Sequence, residues 1–312
     1  MSEIQKITSN NTEQRELIER RIINRISHFI GNKEDQATAI SGLMLYKRSS
    51  PTAAASATYE PSISIVIQGK KRVDLGDTTF IYNASHYLLN SVDLPVLGQV
   101  IEASKEKPYL CMVLKLQMPI VRELISRDDI PAEKKAAEGA AMVNGENTTE
   151  MLNSFLRLID LLARPADIPF MSELIHREII YRILSGPEGA QLRTIATQGN
   201  QSHRIAKATS WIRENYAKPL HIDALAQLTG MGVSTLHHHF RVLTSLTPLQ
   251  YQKQIRLHMA KNRMLLDNID ASSAAFEVGY ESASQFNREY SRYFGNSPIR
   301  DIQAIRSGIA ES

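Results

Sequence analysis

Two clusters of polar side chains in the C-terminal third of this 312-residue chain have the types and spacing that suit base-pair edges. The first is Ser234, Thr235, His237, His238 and Arg241; the second is Ser284, Gln285, Asn287 and Arg288, with Arg292 a turn further on. In each stretch apolar residues recur at helical spacing, Leu236, Phe240 and Leu243 in one and Phe286, Tyr290 and Phe294 in the other. That stripe must face a core, which leaves the polar set outward. Glutamine and asparagine pair with adenine, arginine with guanine or a phosphate, and Arg241 fits the phosphate role better. The bland alternative for any one of them is a solvated helix face, because phosphate and solvent contacts outnumber base contacts. The run His237-His238-His239 invites a metal, but neighbouring helical positions diverge by about 100°, so three consecutive rings cannot converge on one ion. His239 is expected to turn sideways toward the core.

The elements that must position these side chains form a pattern used twice. Ile222-Asp223-Ala224-Leu225-Ala226 leads to Gly230 and then to Ser234–Leu243; Ala274-Ala275-Phe276-Glu277-Val278 leads to Gly279 and then to Ser282–Phe294. Each copy reads as a short helix stopped by a glycine in the left-handed region, then a second helix opened by a serine cap at Ser234 or Ser282. Two helices joined at such a turn are a helix-turn-helix. Between the copies, Thr247-Pro248 caps an unbroken run to Leu266 with Leu249, Ile255, Met259, Met264 and Leu265 as its apolar residues. A helix of that length is roughly 28 Å long, close to the roughly 34 Å between successive major-groove faces. One monomer could therefore read two groove segments.

Residues from about 203 to 305 resemble the AraC/XylS family of bacterial transcription regulators. The likeness lies in Ile222-Asp223-Ala224-Leu225-Ala226, Leu236-His237-His238-His239-Phe240-Arg241, Thr247-Pro248-Leu249-Gln250-Tyr251, Val278-Gly279-Tyr280 and Phe294-Gly295-Asn296-Ser297-Pro298. Two departures stand out. Ala274-Ala275 replaces the family's usual Ile-Ala, thinning the core of the second unit, and His238 stands where an arginine is frequent.

Composition sets outer bounds. The formal charge of +3 divides unevenly: residues 201–312 carry 13 Lys+Arg against 9 Asp+Glu, so the first 200 residues are net negative. A modest basic bias is what a phosphate-facing domain needs. A single cysteine, Cys111, excludes an internal disulfide framework and suggests a reducing compartment. No apolar run reaches membrane-spanning length and the N-terminus starts polar, so no membrane role and a cytoplasmic location are expected.

The N-terminal part begins with a helix from Thr12 to about Phe29, carrying Leu17, Ile18, Ile22 and Ile26 at helical spacing. From Leu43 to Leu116 the pattern turns to short strands: Ile63, Ile65 and Ile67 alternate with Ser62, Ser64 and Val66, and Gly69, Gly76-Asp77 and Asn83-Ala84 separate the runs. Many short strands imply a small barrel or sandwich. Glu60-Pro61-Ser62, Gln68-Gly69-Lys70-Lys71-Arg72, Ser91-Val92-Asp93-Leu94-Pro95-Val96 and Glu102-Ala103-Ser104 resemble the cupin-like sensor domain of one AraC/XylS branch, which implies effector binding in or beside the barrel. Lys70, Lys71 and Arg72 can receive an anionic effector; the favoured alternative is a basic hairpin tip that discourages edge pairing. Cys111 could meet an electrophile such as an aldehyde, but on an apolar strand it reads as packing. A metal-dependent barrel enzyme would need clustered histidines, and the strand region offers one, His86. No cofactor, metal or catalytic residue is expected.

Residues 127–147 read as a charged loop with a short helix around Ala132 to Glu138. Glu150 to Ala163 is an amphipathic helix with Met151, Leu152, Phe155, Leu158, Ile159 and Leu162 on one side, a face expected at a homodimer interface unless it packs on the barrel. A helix follows from Phe170 to Leu184. The fold class expected is α+β: residues 1–185 form a cupin-like β-barrel (40–117) with flanking helices (118–185), 186–202 a linker, and 203–312 an all-α domain of two helix-turn-helix units on a long linker helix. The function expected is a homodimeric, effector-responsive regulator, an activator in preference to a repressor. It would bind promoter DNA, a small effector (aldehyde, organic acid or nucleotide type) and RNA polymerase. A ligand-independent architectural DNA protein, or a cupin-type enzyme with a DNA-binding appendage, are the rival classes.

Overall fold

The computed structural model describes residues 3–130, 140–197 and 199–310; the short helix expected at 132–138 lies outside them. Helix α1 (Glu3–Ile30) precedes nine strands: β1 (Asp35–Ala37), β2 (Leu43–Arg48), β3 (Ala55–Tyr59), β4 (Ser62–Gln68), β5 (Lys70–Leu75), β6 (Thr78–Asn83), β7 (His86–Asn90), β8 (Leu94–Glu102) and β9 (Tyr109–Lys115). Helix α2 (Met118–Ile125), strand β10 (Met142–Glu146) and helices α3 (Thr149–Asp160), α4 (Ile168–Leu184) and α5 (Gly189–Ala196) follow.

The strands form two antiparallel sheets, β1-β2-β9-β4-β7-β10 and β3-β8-β5-β6. Strand β4 shows why they face each other. Its alternation sends Ile63, Ile65 and Ile67 to one side, where they pack with Ile18, Ile22, Ile26 and Ile30 of α1 and with α3 and α4. Val66 goes to the other side and joins Val73, Leu75, Tyr82, Leu94 and Val96 between the sheets. Gly69 alone separates β4 from β5 and carries the chain from one sheet to the other at φ +82°; a Cβ there would lie 2.5 Å from the Glu102 carbonyl oxygen.

Four expectations need correction. The first helix starts at Glu3, nine residues before the periodicity that marks it. Met142–Glu146 is a strand paired with β7, not loop, because the sheet offers it a partner that local sequence does not announce. The segment expected as a linker carries a helix, α5, which buries Leu192, Ile195 and Ala196. The α3 stripe is consumed inside the chain, with Met151, Leu152, Phe155, Leu158 and Ile159 no more than 3% exposed in the core under α1 and Leu162 packed against it. That face is therefore not a surface for a second copy. The exposed apolar face of this layer is on α4 instead, at Phe170, Met171, Leu174 and Tyr181.

The C-terminal part is helical throughout: α6 (Gln201–Glu214), α7 (Ile222–Thr229), α8 (Val233–Thr244), α9 (Pro248–Leu266), α10 (Ala271–Glu277), α11 (Ala283–Phe294) and α12 (Pro298–Ala310). Thr247 closes a capping box with Gln250, which sets the start of α9. Among the described residues no helix is long and apolar enough to cross a membrane.

Candidate nucleic-acid interface and barrel cavity

Helices α7–α8 and α10–α11 are the two helix-turn-helix units. Gly230 ends α7 at φ +63°. Gly279 follows α10 at φ +92°, and a Cβ there would fall onto the Ala217 carbonyl. Ser282 caps α11 by accepting from the Gln285 N–H. Ser234 is not the cap of α8: Gly232 holds that position without a side-chain bond, and Ser234 sits inside the first turn.

Burial divides both second helices as their periodicity requires. Leu236, Phe240, Phe286 and Tyr290 are fully buried. Ser234, Thr235, His238 and Arg241 on α8 are exposed and His237 is half-buried; Ser284, Gln285, Asn287, Arg288 and Arg292 on α11 are exposed. His239 is half-buried, its ring 5.0 Å from that of His238 in an edge contact. Gln285 is partly engaged, its amide 3.3 Å from the Glu289 carboxylate.

The linker helix α9 fixes the two units relative to each other. Arg256 donates to the carbonyls of Tyr216 (2.7 Å) and Lys218 (3.0 Å) below the first unit and of Gly279 (2.9 Å) in the turn of the second. Lys261, nearly buried, pairs with Asp301 at 2.7 Å and lies 4.5 Å from the Phe294 ring centre. His258, also buried, is pushed down to about 3 by burial and by Lys261, so it is neutral at ordinary pH.

The two units differ in what they rest on. Ile205, Ile212, Leu236, Phe240 and Tyr251 share one apolar cluster with Val73, Leu94 and Val96 of the barrel. The second unit has a core of its own around Met264, Ala274, Ala275, Phe286 and Tyr290, where two adjacent alanines let the helices approach closely. Polar bonds reinforce the first contact. Arg213 of α6 donates to Glu60 (2.9 Å) and to Asp93 (2.8 Å), Tyr251 donates to the Asp93 carbonyl (2.6 Å), and the Ala141 N–H donates to the Leu243 carbonyl at the end of α8 (2.8 Å). Burial raises the pKa of Asp93 despite Arg213, whereas bonding to Lys115 and Arg213 outweighs burial at Glu60 and lowers its pKa.

Between the sheets lies a cavity of about 580 Å³ bordered by Met44, Tyr46, Tyr59, Val100, Tyr109 and Val113, among others. Glu60 stands in its wall, so the carboxylate that holds Arg213 also borders the cavity. Of the three basic residues expected at an effector site, strand alternation brings only Lys71 to it. Lys70 pairs with Glu102 at 3.1 Å and Arg72 with Asp74 at 2.9 Å on the outer face. The run is therefore not one basic patch. The signal was available, since Lys71 shares its phase with Val73 and Leu75, both buried. Cys111 is buried in the same cluster, and burial raises its pKa. Arg213, Asp93 and Glu60 had no signal in the sequence, because their partners are more than a hundred residues apart.

This arrangement defines a class: a DNA-binding protein with two helix-turn-helix units and an N-terminal regulatory barrel. The sequence comparisons agree. Residues 39–191 match the family model described as AraC-type transcriptional regulator N-terminus, and residues 225–303 match a helix-turn-helix domain. The chain belongs to the AraC family of transcriptional regulators. It is 25% identical over 162 residues to the HTH-type transcriptional activator RhaS of Salmonella schwarzengrund (strain CVM19633), covering 52% of this chain and 57% of the relative. RhaS of Escherichia coli (strain SE11) is 27% identical over 112 residues, 36% of this chain and 40% of the relative. The chain thus spans about half the length of these curated relatives. The fold is similar to that of apo ToxT from Vibrio cholerae strain SCE256, with a TM-score of 0.54 at 10% identity over 85% of this chain and 98% of the other. ToxT with an unsaturated fatty acid bound gives a TM-score of 0.53 at 11% identity, over 83% and 94% of the two chains.

Proposed function

We propose that the chain is an effector-responsive, sequence-specific regulator, and an activator, in which residues 1–185 receive a small molecule and residues 203–312 read duplex DNA. The observation that carries the reading is the double position of Glu60, in the cavity wall and in the ion pair with Arg213 of the DNA-binding half. A molecule that displaces Glu60 has a direct mechanical route to α6 and, through the shared core, to α8. The second unit is buried around a separate core.

On this reading Ser234, Thr235, His237 and His238 of α8 and Ser284, Gln285, Asn287 and Arg288 of α11 face base edges, with Arg241 and Arg292 on phosphates. The activator role of RhaS supports activation, and a promoter-bound activator meets RNA polymerase in the cytoplasm. Homodimerisation then falls to the exposed stripe on α4, where Phe170 and Leu174 are 71% and 46% exposed on one face with Tyr181. A ligand-independent architectural protein would need no cavity, and a space of about 580 Å³ speaks against it. The test is Arg288→Ala in a competition binding assay on a selected site. Loss of about 1–3 kcal/mol with relaxed preference at one base pair supports base reading; uniform weakening across sequences assigns it to a phosphate, and unchanged binding removes α11 from the interface.

A further inference from the structure

Three polar groups in the barrel interior meet only neutral neighbours: Lys71 meets Tyr59, Tyr82 meets Tyr59 and Ser64, and Tyr109 meets Cys111. Lys71 enters the cavity from β5, directly opposite Tyr82 of β6 and Val100 of β8. Directly opposed residues of antiparallel strands put their side chains on one face, so the three meet inside. The Lys71 ammonium lies 5.4 Å from the Tyr59 ring centre. Among the described residues no carboxylate pairs with it. The one acid that lines the cavity, Glu60, is bonded to Lys115 and Arg213. The buried hydroxyls of Tyr82 and Tyr109 make no close hydrogen bond, only looser contacts to Tyr59 and Ser64 and to Cys111. A half-buried cation without a carboxylate, beside loosely held hydroxyls, leaves hydrogen-bonding capacity that a bound ligand can complete.

We propose that the cavity takes a small monocarboxylic acid with a compact apolar or aromatic body, its carboxylate on Lys71 and the Tyr109 hydroxyl and its body against Met44, Val100 and Val113. The proposal rests on the effector reading above and narrows it. One unpaired cation balances one negative charge. Nucleotides and polyphosphates bring more charge than that, and the other cations in the lining are already paired, Arg48 with Asp35 at 2.7 Å and Lys115 with Glu60. Aldehydes need a free amine or a thiolate. Burial opposes the charge on Lys71, but the neighbouring Tyr59, Cys111 and Tyr46 outweigh it and hold its pKa above the usual lysine value. The only cysteine is a buried thiol whose pKa is raised. Neither nucleophile is available at neutral pH. The volume accommodates at most about 19 water-sized groups, which fits one or two rings or a medium chain.

The experiment is calorimetric titration of the full chain with benzoate, cinnamate, 3-phenylpropionate and octanoate, each beside its primary amide, and with cinnamaldehyde. The wild type, Lys71→Met, and Lys70→Met as a surface control are compared, and DNA affinity is read in parallel. The expected result is at least tenfold preference for an acid over its amide in the wild type and in Lys70→Met. Lys71→Met should abolish that preference while leaving weak binding of the apolar body. An acid that binds equally well to Lys71→Met, or the absence of any binding by all four acids, overturns the acid assignment. An amide or aldehyde that binds as well as the acids and alters DNA affinity also overturns it while leaving the effector reading intact. An acid that binds through Lys71 yet leaves DNA affinity unchanged supports the site and removes the effector reading instead.

Discussion

Replacing Arg213 by methionine keeps most of the aliphatic stem and removes the charge that joins the barrel to the DNA-binding half. Asp93, 8% exposed at its side chain, then loses the cation that holds its charge against burial. A buried hydrogen bond to a charged group is worth about 1.5–3 kcal/mol, and breaking a fully buried pair costs more. Arg213 is itself 38% exposed, which screens the pair and favours the lower part of that range. The expected cost is about 1.5–2 kcal/mol at pH 7. It has a direction in pH. The folded-state pKa of Asp93 is raised, so its protonated form is the better tolerated one, and stability is lost as pH rises through that value. Removing Arg213 raises it further, so the defect is largest at neutral pH and shrinks as Asp93 takes up a proton. Urea unfolding followed by fluorescence reads this directly, because Trp211, the single tryptophan, is two residues away on α6 and packs against the shared core. In an Asp93→Asn background the same substitution should cost less than half as much. A cost below about 0.5 kcal/mol, or an equal cost in both backgrounds, refutes the idea that this pair fastens the two halves.

Gly279→Ala should destabilise the second unit by more than about 3 kcal/mol, since φ is +92° and the added carbon meets the Ala217 carbonyl; a melt within a degree or two of wild type contradicts the turn geometry. Buried His258 and His176 have pKa values depressed to about 3 and about 4. Their contribution is complete above the unfolded value near 6.5 and is lost as pH falls toward those folded values. Each should therefore add up to about 1.4 kcal/mol of destabilisation per pH unit below 6.5. Denaturant midpoints measured from pH 7 to pH 5 check this, and a flat profile would remove the assigned burial.

Much of the DNA-binding half was legible because its signals are local. A glycine at positive φ, a Thr-Pro cap and an apolar 3.6-residue period each depend on a few neighbouring residues, and Gly230, Gly279, Thr247 and the Phe286–Tyr290 pair sit where those rules put them. What local rules miss is partnership. Met142–Glu146 is a strand only because β7 lies beside it, and α5 is a helix inside a segment whose Gly, Pro and Gln content suggests a link. An apolar stripe says that burial occurs and not where, so Phe155 and Leu158 were as compatible with a second copy as with α1. Lys71 falls between these cases. Its inward direction follows from the two-residue period of β5, but reading Lys70, Lys71 and Arg72 as one patch averages that period away.

The central claim is that a single chain presents two recognition helices to one face of a duplex. Its most direct test is a hydroxyl-radical footprint on a site selected from random duplex DNA. The account predicts two protected patches on the same face, about 10 base pairs apart for each bound chain. Arg288→Ala should weaken the patch contacted by α11 and leave the other. One patch per chain, or patches on opposite faces of the duplex, would contradict it.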